Sequence, residues 1–128
     1  MARILVAEDD APVRDFVRRA LEMDGHRVTA VHDGAEALER LTAPVQSFDL
    51  LLADIRMPVI DGIALALQLA RDCPDLPILL MTGYAQQRER AHGLEKVILG
   101  VIQKPFTLEQ IRDEVNSALW PESSASPA

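Results

Sequence analysis

The sequence predicts an α/β fold: a five-stranded parallel sheet of order 2-1-3-4-5 with helices on both faces. Three observations carry this. Five short apolar runs alternate with amphipathic stretches from end to end. Most of those runs are continuously apolar, the pattern of strands covered on both faces. Strict β–α alternation then calls for parallel pairing through right-handed crossovers. The length of 128 residues, 48% hydrophobic and 26% charged, fits one globular domain.

The strand candidates are Ile4–Ala7, Val28–Val31, Leu50–Ala53, Ile78–Met81 and Val97–Ile102. His26, Arg27 and His32 flank the second, which places it at an edge. The first helix follows Asp10, read as its N-cap, with Pro12 allowed in the opening turn. Val13, Phe16, Val17, Ala20 and Leu21 repeat at helical spacing until Asp24-Gly25 stops them. A second helix starts near Gly34 and carries Ala35, Leu38 and Leu41 before Pro44. A third, Ile63 to Ala70, is almost wholly apolar and ends before Pro74. The stretch Ala85–Leu94 is barely amphipathic and predicts a short or mobile helix. After Thr107, the residues Leu108, Ile111, Val115 and Leu119 form one stripe. Residues 1–120 are thus expected to form the domain, and 121–128, Pro-Glu-Ser-Ser-Ala-Ser-Pro-Ala, a disordered tail.

Composition narrows the function. Thirteen basic against twenty acidic residues leave a formal charge of −7, which repels phosphate backbones and anionic lipid surfaces. Nucleic acid is therefore not an expected partner. No apolar run reaches the ~18 residues of a membrane span, and acidic residues follow the first strand too early for a signal peptide. The single cysteine, Cys73, forms no internal disulfide and no Cys-rich zinc site, as expected of a cytoplasmic protein.

In a sheet of this kind ligands bind beyond the carboxyl ends of the strands. Glu8-Asp9-Asp10 follows the first strand, Asp54-Ile55-Arg56-Met57-Pro58 the third, Thr82-Gly83 ends the fourth and Lys104-Pro105 the fifth. With strands one and three adjacent, Glu8, Asp9 and Asp54 converge. Clustered carboxylates either shift their pKa values upward or hold a hard divalent cation, and Mg²⁺ suits a few carboxylates, a carbonyl and phosphate oxygens. An acidic loop alone is usually a solvated face or a cap, but Asp54 ends a wholly apolar strand, where an unpaired charge is costly. Lys104, one of two lysines among eleven arginines, closes a buried strand; alone it reads as an ion pair, and in this company as a phosphoryl-binding charge. Thr82 can donate a hydroxyl to the same group, and Gly83 leaves space for it. The set supports phosphoryl transfer to Asp54 as nucleophile, with Mg²⁺, Lys104 and Thr82 neutralising the transferring oxygens. Gly-x-Ser-x-Gly, Gly-x-Gly-x-x-Gly and Gly-x-x-x-x-Gly-Lys are absent. An Asp-x-Asp phosphatase is disfavoured by Arg56, and a flavin site by the three acids after the first strand.

These residues, with Asp61-Gly62, Met81-Thr82-Gly83 and Lys104-Pro105-Phe106, resemble the receiver domain of two-component response regulators, a CheY-like fold, over about residues 3–119. The resemblance implies Asp54 as phosphoacceptor, Glu8 and Asp9 as the acid pair around Mg²⁺, the Arg56 carbonyl as a further metal ligand, and Thr82 and Lys104 as phosphoryl-binding groups. Arg14, five residues after Asp9, sets the pair as Glu8-Asp9 rather than Asp9-Asp10. The family more often has Asp-Asp there. Where it usually has a switch aromatic, three residues before the lysine, this chain has Val101, so switching is expected through Thr82, Tyr84 and the helix that follows.

Within the family, Ala20–His26, Asp54–Leu67 and Leu80–Ala85 resemble CpdR-type single-domain regulators. That implies phosphate arriving from a histidine kinase or histidine phosphotransferase, and an adaptor role towards a ClpXP-type protease in cell-cycle control. A phosphate shuttle and a CheY-like regulator of another target use the same site and stand as alternatives. A receiver-like binding module would have lost Asp54, Thr82 or Lys104, and a DNA-binding regulator needs a basic face or a further domain. A receiver uses nearly all of this length, so output is expected through protein contacts rather than as an enzyme. His26, His32 and His92 sit among polar neighbours and read as surface residues, and Trp120 as packing the end of the last helix.

Overall fold

Ten elements alternate along the computed structural model, which describes residues 1–44 and 47–120. They are β1 (Arg3–Ala7), α1 (Ala11–Met23), β2 (Arg27–Val31), α2 (Gly34–Thr42), β3 (Leu50–Asp54), α3 (Gly62–Asp72), β4 (Ile78–Thr82), α4 (Ala85–Arg90), β5 (Gly100–Gln103) and α5 (Leu108–Leu119). The sheet is wholly parallel in the order β2-β1-β3-β4-β5. This is the predicted architecture, with β2 at an edge. The expected tail at 121–128 lies outside the described residues. No helix among them is long and apolar enough to cross a membrane.

Period-2 alternation divides the core into two layers. Leu5, Ala7, Leu51, Ala53, Ile78 and Leu80 pack on one face with α2, α3 and the segment around Ala91. Ile4, Val6, Leu50, Leu52, Leu79 and Met81 pack on the other with α1 and α5. Every residue of β3 and β4 is buried, which is why those runs read as continuously apolar.

Local chemistry sets the helix starts. Asp33 accepts from the Glu36 amide at 2.7 Å, Asp61 from Ala64 at 2.8 Å, and Thr107 forms a capping box with Gln110. Asp10 occupies the N-cap of α1 but makes no side-chain cap bond. Pro12 has no amide hydrogen at one of the two positions a cap would reach.

Some expectations shift. The fifth strand begins at Gly100 rather than Val97, because the amides of Val97 and Ile98 both bond the Leu94 carbonyl and form a turn first. In α2 the buried stripe runs through Ala37 and Leu41, with Ala35 only partly covered. α4 is short, as expected, and buries no side chain of its own. His26 is not a surface residue: it is 5% exposed. Its flanks are polar, but Asn116 and Trp120 at the end of α5 reach it, a long-range contact that local composition does not encode. Trp120 does stack at the end of α5, on His26, at 5.8 Å between ring centroids.

Candidate functional site

Strand parity decides which strand-end residues meet. Glu8 continues the alternation of Ile4 and Val6, Asp54 that of Leu50 and Leu52, and Lys104 that of Ile102. All three therefore emerge on the α1/α5 side of the sheet, and the 2-1-3-4-5 order brings their strand ends together. Lys104 Nζ lies 2.5 Å from Glu8 Oε1 and 3.3 Å from Asp54 Oδ1. Glu8 is fully buried, Asp54 is 7% exposed, and Asp9 stands exposed beside them. Carboxylate oxygens of Glu8, Asp9 and Asp54 all lie within 4.8 Å of one another.

Backbone contacts hold the acids in place. The Glu8 amide donates to the Val31 carbonyl at 3.1 Å, and Arg14 Nη1 on α1 donates to the Glu8 carbonyl at 2.8 Å. Glu8 Oε2 accepts from the Asp10 amide at 3.2 Å. The loop after Asp54 is closed by Gly62, whose amide donates to the Ile55 carbonyl at 2.8 Å. A Cβ at Gly62 would lie 2.5 Å from the Asp54 carbonyl oxygen, and one at Gly34 only 2.1 Å from that of Ile60. Both helices start against this loop at a distance that a side chain would forbid. In the loop, Val59 adopts φ 72°, a strained conformation for a β-branched residue.

Three carboxylates against one ammonium leave a local excess of negative charge. Burial, with help from Asp54, pushes Glu8 up to about 7 against the opposing pull of Lys104. Asp54 is also raised, by burial and by Asp9, although Lys104 and Glu8 hydrogen bonds oppose it. Burial pulls the Lys104 ammonium down, but Glu8 and Asp54 outweigh it and the net shift is upward. An all-oxygen, net-negative donor set of this size fits a hard divalent cation.

An open cleft of about 800 Å³ lies over the acids. Glu8, Asp9, Asp54 and Lys104 line its polar side, and Phe16 and Phe106, stacked at 6.3 Å, its apolar side. This aromatic wall is not legible in the sequence, because only the fold joins α1 to the segment after β5. Arg56 is exposed and sits 4.7 Å over the Tyr84 ring at the cleft's rim.

Thr82 and Val101 stand apart. Thr82 shares parity with Ile78 and Leu80, so it belongs to the α4 side, and it is 1% exposed. Its hydroxyl is held by the Tyr84 backbone, accepting from the amide at 3.1 Å and donating to the carbonyl at 3.4 Å. Val101 packs partly buried against the same layer. A further tie unread in the sequence is Arg90 to Asp61, at 3.0 Å, which holds α4 to the N-cap of α3. The Ala64 amide and Arg90, working against burial, keep the Asp61 carboxyl low.

Residues 4–116 match the family described as response regulator receiver domain. The response regulator MprA of Mycobacterium ulcerans is 38% identical over 117 residues, 91% of this chain and 50% of that protein. The MprA of Mycobacterium tuberculosis strain H37Rv gives the same figures. The chain spans about half the length of these curated relatives. Among solved structures, the non-phosphorylated HemR receiver domain of Leptospira biflexa is 34% identical, with a TM-score of 0.80 over 93% of this chain and 94% of that one. TrrA of Thermotoga maritima, solved in complex with Mg(2+)-BeF, is 27% identical, with a TM-score of 0.83 over 93% and 100%.

Proposed function

The chain belongs to the response regulator receiver domain family, and from that premise we propose that it accepts a phosphoryl group on Asp54 in a Mg²⁺-dependent reaction. The observation that carries this reading is Lys104 Nζ held at once by Glu8 at 2.5 Å and Asp54 at 3.3 Å, beside a third carboxylate. In the proposed step an Asp54 oxygen attacks phosphorus, the bond from phosphorus to the donor nitrogen breaks, and a mixed carboxylic–phosphoric anhydride forms on Asp54. The donor is a phosphohistidine of a histidine kinase or histidine phosphotransferase. Glu8, Asp9, Asp54 and the Arg56 carbonyl would hold Mg²⁺, which when bound offsets negative charge on the phosphoryl oxygens. Lys104 turns from Glu8 towards the incoming oxygen as a point charge. Thr82 would reach the phosphoryl group by rotating its hydroxyl away from the Tyr84 amide. That exchange would pass the change to Tyr84 and α4, with Val101 standing where the family's aromatic usually does. The same groups make the chain catalyse its own phosphorylation and dephosphorylation rather than act on a separate substrate.

Residues 1–120 are the signalling unit of this proposal, and its setting is the cytoplasm. At the finer level, the stretches similar to CpdR-type regulators favour an adaptor whose unphosphorylated form engages a ClpXP-type protease in cell-cycle control, ahead of a phosphate shuttle or a CheY-like regulator of another target. Acetyl phosphate labelling with Mg²⁺ tests the chemistry. One hydroxylamine-sensitive phosphoryl group per chain is expected, absent in Asp54→Ala and without Mg²⁺; labelling that persists in Asp54→Ala overturns the assignment. A pull-down with wild type and Asp54→Ala, with and without phosphodonor, then separates adaptor from shuttle: the adaptor retains its protease partner in the variant.

A further inference from the structure

Far from the acidic cleft, the start of β1 and the end of α5 are joined by a chain of hydrogen bonds through the buried His26. The Ala2 amide donates to His26 Nδ1 at 3.1 Å. His26 Nε2 lies 3.3 Å from Asn116 Oδ1, Asn116 Nδ2 donates to Asp24 Oδ2 at 3.1 Å, and Arg112 closes the far end on Asp24 Oδ1. The direction of every bond is fixed from both ends. A backbone amide can only donate, so Nδ1 carries no proton; an ionised carboxylate can only accept, so Asn116 presents its oxygen to the ring. Both constraints select the same neutral tautomer, with the hydrogen on Nε2.

We propose that this chain is a proton-sensitive clasp: neutral His26 holds the end of α5 and Trp120 against the start of β1, and protonation of Nδ1 opens it. A proton on Nδ1 would place two donors face to face at the present 3.1 Å, so the ring and the Ala2 amide must separate. Of the charged groups around the ring, Asp24 attracts a proton placed on it, since the ring in turn helps to lower the Asp24 carboxyl. Asp24, in the α1–β2 turn, is already committed to Arg112 and Asn116 of α5, and Arg27, the next residue after His26, is exposed. Trp120 stacks on the ring at an interplanar angle of 23° and is 44% exposed. It therefore accompanies the ring and the end of α5 as they leave β1.

Trp120 is the chain's only tryptophan, so its fluorescence reports the clasp directly. As the pH is lowered, wild type is expected to show a one-proton emission change, together with loss of amide-exchange protection at Ala2. His26→Gln can still accept from Ala2 and donate to Asn116 but cannot titrate, and it is expected to show neither. Nitrogen-15 NMR of the neutral His26 ring in wild type should find the Nε2–H tautomer, a reading that needs no variant. An Nδ1–H tautomer, an emission step that survives in His26→Gln, or no step in wild type overturns the proposal. Phosphorylation of Asp54 is independent of this clasp, so its failure and that of the receiver chemistry are separable.

Discussion

Asp24 shows how much one carboxylate gathers once the chain is folded. Arg112 donates to Oδ1 through Nη2 at 2.5 Å and Nε at 3.0 Å, Asn116 donates to Oδ2, and together they hold the Asp24 carboxyl below its usual 3.8. A lowered folded-state pKa adds stability that is present above the unfolded value and is lost as the pH falls through the folded one. Asp24→Asn is therefore expected to lower Tm at neutral pH, with the gap to wild type closing as the pH falls below 3.8; calorimetry over that window measures it. The site residues follow a different logic. Glu8 and Asp54 are raised by burial, so the fold holds them against their electrostatic preference, as a site built for a cation would. Their place at the strand ends was legible in the sequence, because a charge that closes an apolar run is costly unless a partner or a cation meets it. The inward turn of His26 was not, since its cover comes from Asn116 and Trp120, ninety residues or more away.

α4 is the element least supported by its own sequence. Six residues fall well short of an independently stable helix, and none is buried. Two contacts to the loop after Asp54 hold it: Arg90 to Asp61 at its last turn, and Tyr84 under Arg56 just before its first. Arg90→Ala is expected to raise amide exchange in residues 85–91 by up to about fivefold, the range of an exposed ion pair, while the protection of β3 and β4 stays unchanged. Hydrogen exchange read by mass spectrometry checks this, and an unchanged α4 would show that Ala91, buried just beyond the helix, suffices. The weak amphipathicity of Ala85–Leu94 announced a short helix. Where the strand after it begins did not follow, because Val97 and Ile98 are apolar enough for either a strand or the buried turn they form.

Across the whole molecule, a doubly covered sheet divides the apolar residues between two layers, and β3 runs through the middle of both. Leu52 is fully buried between β1 and β4, so Leu52→Ala is expected to cost about 2–5 kcal/mol. Leu67, in the largely apolar α3 but 48% exposed, should cost about 0.5 kcal/mol or less as Leu67→Ala; urea denaturation compares the two. By itself the sequence determined the alternating parallel fold, the ends of its strands and the presence of Glu8, Asp9, Asp54 and Lys104 at those ends, because apolar periodicity and charge at a strand terminus are local properties of the chain. Only the tertiary structure decided the surroundings of Thr82, Val101 and His26. Strand parity sends Glu8, Asp54 and Lys104 to the α1/α5 face and leaves Thr82 and Val101 on the α4 face, and Asn116 and Trp120 at the end of α5 meet the buried His26. Such pairings depend on which faces meet in space, and no window of neighbouring residues contains that information.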